Sequence, residues 1–399
     1  MHRTAVAMGI ALAMTLPVQA QQNKPIRIGV LNDMSGYTAA IAGPGSVVAA
    51  NMAADDFGRK VGNRTIEIVS ADHQNKADVG SAIARKWFEA EGVDVIVDLP
   101  NSSVALAVQE IARNANKAVL FTAAGTSALT GKSCSPNGIQ WARDSYALAN
   151  GLATAIVKSG GDSWFFITAD YAFGHATEAD VGKAVAANKG KVVGSVKHPP
   201  STGDFASQLM QAQSSKAKVI ALASAGSDMS NAIKQATEFG IGKKQKIAAM
   251  TMFLSDAHSL GLAAAQGTQL LDVSYWDQTD AMRKWSQRFF EKHQRMPTAV
   301  QADVYSGVTH YLKALAKGAD PADGAAVVRQ MKQLPVTDPM VPAGSLREDG
   351  KLVRDMYLYQ VKTPAESKGA WDYYKVLQKI PGEQLVVPLK DSECPLVKK

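Results

Sequence analysis

Two short segments carry hydroxyl and amide side chains where a loop leads into a helix. They are Pro100-Asn101-Ser102-Ser103 and Thr122-Ala123-Ala124-Gly125-Thr126-Ser127. Hydroxyl groups and free backbone N–H groups near a helix start form an anion site without a formal positive charge, and a carboxylate fits such a site. The same residues also serve as ordinary helix caps and turns. Local chemistry leaves these two interpretations equally open.

Motifs for nucleotide, metal or hydrolytic chemistry do not fit the sequence. Gly125 precedes Gly131-Lys132-Ser133 by one residue too many for a phosphate-binding P-loop. The sequence has no H-E-x-x-H pair and no G-x-S-x-G elbow. Asp256 and His258 are close in sequence, but alternating residues of a strand face opposite ways. We therefore expect a binding protein, not an enzyme, with no cofactor and no metal.

Composition points to a mixed α/β globule. The chain has 399 residues, of which 46% are apolar and 20% charged, so a packed core is expected. Lys and Arg total 43 against 36 Asp and Glu, a formal charge of +7. These charges are scattered, without the basic runs that nucleic-acid binding requires.

The first twenty residues read as an export signal. A short positive head, Met1-His2-Arg3, precedes an apolar run and small residues before Gln21, as in a secretory signal peptide. The run is too short for a membrane anchor. In an oxidising compartment Cys134 and Cys394, the only two cysteines, either pair or remain thiols, and we favour the pair.

Strands alternate with helices in two successive series. The first series predicts strands at 26–31, 66–69, 93–97 and 118–121, with helices near 49–57, 78–91 and 104–114. The second predicts strands at 164–167, 192–193, 219–222 and 246–249, with helices near 174–188, 205–213 and 230–239. Helices at 282–293, 300–316 and 325–333 and a strand at 355–361 follow. This alternation predicts an α/β fold of two similar lobes, each a doubly wound, mainly parallel sheet flanked by helices.

We expect the chain to cross between the lobes several times and so to form a hinge. The predicted divisions are a signal peptide at 1–20, an N-terminal lobe at 26–143 plus about 276–347, a C-terminal lobe at 144–275 plus about 348–380, and a tail at 381–399. Open parallel sheets bind ligands outside the carboxyl ends of their strands. The loops there, including 122–130 and 250–259, therefore face an inter-lobe cleft.

Five aromatic residues lie near these cleft loops: Tyr37, Trp141, Tyr171, Phe173 and Phe253. About half are expected in the core, and the others to clamp the apolar body of a ligand.

The chain resembles a periplasmic solute-binding protein of an ABC importer, in the branched-chain amino-acid (Leu/Ile/Val-binding) family. The segments that carry the resemblance are Ile28–Gly36, Ala124–Gly131, Asp170–Gly174, Asp204–Leu209, Lys234–Gly240 and Ala264–Gly267. Their order and spacing, more than any one of them, give the specificity.

The resemblance implies particular ligand contacts. In the family a serine-bearing loop and an Ala-x-Thr segment hold the ligand carboxylate. These match Asn101-Ser102-Ser103, and Ala124 with Thr126. A clamping tyrosine of the second lobe matches Tyr171. Neutral donors, with no formal positive charge, are thus expected to hold the anion.

The sequence departs from the amino-acid-binding pattern in the second lobe. The aromatic position of the family falls on Ala225, and the acidic residue that faces the ligand ammonium falls near Ser255 or Asp256. An Asp256 that faces the cleft would bind an amino group. Otherwise a carboxylic acid without an ammonium, such as an aromatic acid, is the favoured ligand.

The function implied by the resemblance is that of the substrate-binding component of an importer. It would capture a small carboxylate by hinge closure in the periplasm and deliver it, as a monomer, to an inner-membrane permease. The alternative is a ligand-sensing receptor or accessory protein built on the same bilobed module.

Overall fold

The apolar run Ile26–Asn32 forms β1, a central strand of a six-stranded sheet. The computed structural model describes residues 24–398 of the chain. The strand order is β2-β3-β1-β4-β5-β6, parallel except for the hairpin of β2 and β3. The other strands are Lys60–Val61 (β2), Arg64–Asp72 (β3), Val95–Asp98 (β4), Ala118–Phe121 (β5) and Gly138–Gln140 (β6).

Helices cover both faces of this sheet and define the first lobe. One core joins the sheet to α1 and to three helices from much later in the chain, and a second core lies under α2 and α3. The helices are Gly43–Asp56 (α1), Ala77–Glu89 (α2), Ser102–Asn114 (α3), Asp280–His293 (α10), Ala299–Ala316 (α11) and Gly324–Gln333 (α12).

The second lobe contains a four-stranded parallel sheet in the order β10-β9-β7-β8. Its strands are Ser163–Ala169 (β7), Lys191–His198 (β8), Val219–Ala223 (β9) and Lys246–Ala249 (β10). Its helices are α4 (Ser145–Leu148, continued as a π-helical turn Ala149–Ala153 and then Thr154–Lys158), Ala172–Ala187 (α5), Ala206–Ser214 (α6), Gly226–Glu238 (α7), Leu254–Leu260 (α8) and Leu262–Ala265 (α9).

Two antiparallel units complete the fold. Strands β11, β14 and β15 form a three-stranded sheet that packs on the cores of the second lobe, and β12 pairs with β13. Their bounds are Gln269–Asp272 (β11), Ser345–Leu346 (β12), Leu352–Val353 (β13), Met356–Val361 (β14) and Tyr374–Ile380 (β15).

The chain passes between the cores of the two lobes three times. Consecutive core residues change lobe between Trp141 and Ala147, between 275 and 282, and between 352 and 356. The two lobes are therefore joined by three segments of chain. The lobe boundaries proposed from the sequence remain a prediction, and residues 1–20, the predicted signal peptide, lie outside the described residues.

The structure corrects several element predictions. Helix α1 begins at Gly43 and not near residue 49, because Gly43 adopts a φ of +47° and Pro44 then fits the first helical turn. The segment 250–259, predicted as a loop, contains α8. Strands β6, β11 and β15 were not predicted, since each is short or lies at the edge of its sheet.

Cys134 and Cys394 form a disulfide, as favoured from the sequence. The bond ties the C-terminal tail to the first lobe, where both cysteines are buried in a small cluster with Val397. Within residues 24–398 no helix is long and apolar enough to cross a membrane.

Candidate functional site

A cavity lies between the lobes at the carboxyl ends of their parallel strands. The free volume between its walls is about 40 Å³ in this closed form, room for a few water molecules, so a larger ligand requires the lobes to move apart. Its lining is mostly apolar and comes from both lobes: Thr38, Ile41, Pro100, Thr122, Ala123, Gly125, Ala142, Arg143, Leu148, Tyr171, Phe173, Ala225, Thr251, Phe253, Val300 and Asp303.

Arg143 is the cationic group of this cavity. It follows β6 at the first crossing and is 7% exposed. Its Nη1 donates to Asp272 Oδ1 at 2.9 Å, and its guanidinium lies 4.4 Å from the centre of the Phe253 ring. Within the described chain its Nε and Nη2 have no hydrogen-bond partner. Buried donors without a partner are costly, so two N–H groups are available to an anion.

A buried ionic network extends from Arg143 along the hinge. Asp272 ends β11 near the second crossing, and Arg354 lies in the third crossing. Arg354 Nη2 donates to Asp303 Oδ2 on α11 and to the Trp141 carbonyl at 3.2 Å. Burial raises the pKa of both Asp272 and Asp303, the latter to about 6, although each has an arginine partner. Residues from all three crossings thus meet beside the cavity.

The first-lobe loop predicted to bind the carboxylate is strained and partly used in capping. Asp98 and Leu99 adopt φ values of +87° and +62°, a conformation that occurs at functional sites. Asn101 caps α3, since its Oδ1 accepts from the backbone N–H groups of Ser103 and Val104 at 2.9 and 3.2 Å. Local geometry therefore supports capping for Asn101.

The two serines of this loop have different surroundings. Ser102 is fully buried, and among residues 24–398 its hydroxyl has no partner. The Ser103 hydroxyl accepts from the N–H of Ala172 in the second lobe at 3.4 Å. Ser102 thus keeps a hydroxyl without a partner in the described chain but is not among the residues that line the cavity, and Ser103 bridges the lobes.

The structure shifts the second predicted segment by one residue. Ala123 and Gly125 line the cavity, whereas Ala124 is buried in the first-lobe core. Thr126 lies on a separate groove, and its hydroxyl caps the next turn by accepting from Ala128 N–H at 3.4 Å. A Cβ on Gly125 would come within 2.8 Å of the Phe173 ring, so this position faces the opposite lobe closely.

Tyr37 and Tyr171 meet across the cleft. Their rings lie edge to face, 6.5 Å apart, and Asn101 Nδ2 lies 3.5 Å from the Tyr37 hydroxyl. Next to them Ser227 N–H donates to the carbonyl of Tyr37 at 3.0 Å. An apolar cluster of Ile41, Ala42, Ala225, Phe253 and Val300 joins the lobes on the same side. The cleft is therefore closed in this structure.

Asp256 is not one of the described residues that line the cavity. Its Oδ2 accepts from the N–H of Phe253 at 2.9 Å, and its Oδ1 accepts from Ser230 at 3.3 Å. Burial raises its pKa to about 7. His258, on the same helix, is exposed and stacks on Trp371 at 3.9 Å, so Asp256 and His258 do not work together. Phe253 lines the cavity, as predicted for a clamping aromatic.

Sequence reasoning missed the two charged residues of the cavity, Arg143 and Asp303. Arg143 follows a three-residue strand that was not predicted. Asp303 lies inside a helix that reads as wholly structural. The available signals were Asp303, a charged residue between Ala302 and Val304, and Arg143, which follows the apolar pair Trp141-Ala142.

Comparisons with known proteins agree with this geometry. Residues 25–370 match the family model described as periplasmic binding protein. A periplasmic binding protein from Burkholderia mallei is 47% identical with a TM-score of 0.92, and the match covers 94% of this chain and 99% of that one. A branched-chain amino-acid ABC transporter periplasmic ligand-binding protein from Burkholderia xenovorans LB400 is 38% identical with a TM-score of 0.83, covering 94% and 100%.

A curated relative gives a more distant match. Leu/Ile/Val-binding protein homolog 6 of Brucella abortus (strain 2308) is 25% identical over 207 residues, which are 52% of each chain. The match thus spans about half the length of this relative.

Proposed function

Because the chain belongs to the periplasmic binding protein family, we propose that it is the substrate-binding component of an ABC importer and that it captures a small carboxylate between its lobes. The single observation that carries the ligand class is Arg143. A buried guanidinium with two unpartnered N–H groups, in the wall of a mostly apolar cavity, suits a carboxylate with an apolar body.

This proposal revises the mode of anion binding expected from the sequence. Neutral donors alone were predicted, but the cavity wall contains the guanidinium of Arg143. In the proposed site Arg143 holds the carboxylate, and Phe253 and Tyr171 enclose the apolar body. Ala124, Thr126 and Asp256 are left out, because other contacts occupy or bury them.

Capture follows from closure of the lobes. Contacts such as Ser227 to Tyr37 and Ala172 to Ser103 form only when the lobes meet, and a ligand that touches both lobes adds to them. The ligand therefore shifts the population toward the closed form. We propose that a monomer, exported to the periplasm, presents this closed form to an inner-membrane permease, with no chemistry performed on the ligand.

Isothermal titration calorimetry tests the ligand class directly. Branched aliphatic, straight-chain and aromatic carboxylates, each paired with its uncharged primary amide, are titrated into the protein. At least one carboxylate should bind with its amide at least tenfold weaker, because the amide lacks the charge that Arg143 compensates. Equal binding of each acid and its amide would contradict the proposal.

The variant Arg143→Lys tests the residue. Lysine keeps a charge beside Asp272 but lacks the planar fork that can pair with Asp272 on one side and with a carboxylate in bidentate fashion on the other. We expect carboxylate affinity to fall at least tenfold. Arg288→Lys is the matched control, because Arg288 pairs with Asp56 on the surface away from the cavity. Equal affinities of the two variants would remove Arg143 from the site.

A further inference from the structure

Asp303 presents an unused acceptor to the ligand cavity. It lies on α11, lines the cavity and is 2% exposed. One carboxylate oxygen, Oδ2, accepts from Arg354. The other, Oδ1, has no hydrogen-bond partner in the part of the chain that the structure describes. A buried carboxylate oxygen without a donor is unfavourable, so Oδ1 is available to an N–H or O–H donor.

Each of the two buried ion pairs beside the cavity is neutral before a ligand enters. Arg143 and Arg354 carry two positive charges, and Asp272 and Asp303 carry two negative charges in their ionised forms. A simple carboxylate bound to Arg143 adds one negative charge in a closed, mostly apolar space. An uncompensated buried charge is expensive, whereas a ligand that also donates a hydrogen bond or carries an ammonium reduces this cost.

We propose that Asp303 is a second polar contact for the ligand and that it selects carboxylates that also carry an N–H or O–H donor, such as 2-amino or 2-hydroxy acids. The inference rests on the proposed function and extends it. Arg143 on the first crossing receives the carboxylate, and Asp303 on α11 receives the donor. Asp303 thereby takes the part that was expected of Asp256, which is bonded to its own helix.

The pKa of Asp303 fits this assignment. Its pKa is raised to about 6, mainly by burial and also by the nearby carboxylates of Asp272 and Asp338, against the effect of Arg354. A hydrogen-bond donor on the ligand stabilises the ionised carboxylate of Asp303. An ammonium compensates its charge, and a hydroxyl satisfies Oδ1 alone.

Two sets of acids with matched skeletons test the proposal by calorimetry. One set is L-valine, 2-hydroxy-3-methylbutanoate and 3-methylbutanoate, and the other is L-phenylalanine, 3-phenyllactate and 3-phenylpropanoate. In the skeleton that binds, the amino or the hydroxy acid should bind at least tenfold more tightly than the acid without a donor. The preferred member identifies the donor as an ammonium or a hydroxyl.

The variant Asp303→Asn should remove this preference. The amide oxygen must accept from Arg354, which turns the amide NH₂ toward the cavity, where it meets the donor of the ligand. We expect the donor-bearing and donor-free acids to bind within threefold of each other. This ratio within one variant does not depend on the fraction of folded protein. Asp94→Asn, at a buried carboxylate that accepts from Arg27 N–H at the opposite end of β4, should leave the ratio unchanged.

Three results would overturn the inference. The first is wild-type protein that binds the donor-free acid as tightly as its donor-bearing partners. The second is an Asp303→Asn variant that weakens all members of a set by the same factor, which marks a structural role or a bound water. Binding of none of the six acids, nor of any other carboxylate, would reject the proposed function and the inference with it.

Discussion

Gly226 is a position where one methyl group should prevent closure of the cleft. It begins α7 in the second lobe with a φ of +63°. A Cβ there would lie 2.0 Å from the carbonyl oxygen of Tyr37 in the first lobe, and real Cβ atoms essentially never come within 3.0 Å of such an atom. In Gly226→Ala the lobes must therefore stay about 1 Å further apart at this point.

The loss can be estimated from the contacts that this separation breaks. The hydrogen bond from Ser227 N–H to Tyr37 is worth about 1 kcal/mol. Looser packing of the inter-lobe cluster around Ala225 and Phe253 adds about 1–2 kcal/mol. The closed form thus loses about 2–3 kcal/mol, which corresponds to a roughly 30- to 150-fold weaker ligand affinity.

Gly240→Ala is the matched control. Gly240 follows the other end of α7 with a φ of +66°, but no atom lies within 4 Å of its added Cβ. Both variants carry the same backbone strain, of about 1–2 kcal/mol in the free energy of unfolding. Only Gly226→Ala should lose affinity in calorimetry and show an open form in small-angle X-ray scattering with ligand present. Equal affinities in the two variants would refute closure at this contact.

The remaining predictions concern pH, the disulfide and the outer edge of the cleft. Burial raises the pKa of Asp256 to about 7. Between about pH 4 and pH 7 the folded protein therefore keeps a proton on Asp256 that the unfolded chain releases. The stabilisation by this proton is present at low pH and is lost as the pH rises through that range. Urea unfolding should show the stability of wild type, relative to Asp256→Asn, falling by up to about 1.4 kcal/mol per pH unit in that window, and a flat difference would refute it. Joint replacement of Cys134 and Cys394 by serine should lower the free energy of unfolding by about 2–5 kcal/mol and leave the ligand Kd within twofold of the wild-type value. A larger change in Kd would contradict a purely structural role for the disulfide. Asp180 Oδ2 accepts from the hydroxyls of Ser127 and Ser145 at 2.8 and 2.6 Å. The variant Asp180→Ala should therefore weaken ligand binding about three- to tenfold in calorimetry. Unchanged affinity would show that these bonds do not hold the cleft closed.

The sequence predicted the architecture because long periodic elements report it directly. The buried strand Val219–Ala223 is an uninterrupted apolar run, Ile26–Asn32 is mostly apolar, and the helices between the strands carry apolar residues at helical spacing. Strands that are not mostly apolar, such as Gly138–Gln140, give no such signal. Their pairing depends on partners far along the chain, for example the bridge from Gln140 to Lys351.

The candidate site was predicted less completely than the fold. Loops after strands could be named from topology, and Tyr171 and Phe253 do line the cavity. The sequence could not show which residue of a loop faces the cavity, because a difference of one position decides it. Gly125 lines the cavity, whereas the next residue, Thr126, does not. Arg143 and Asp303 could not be assigned, because their burial and their unpartnered atoms result from packing between a crossing and α11.

The central claim is that a carboxylate occupies the space in front of Arg143 when the lobes are closed. A crystal structure with the tightest-binding acid measures this directly. The account predicts that the carboxylate oxygens of that acid lie within about 3.2 Å of Nε and Nη2 of Arg143. An acid bound in the outer groove near Thr126, or one whose carboxylate points away from the guanidinium in a closed cleft, would contradict it.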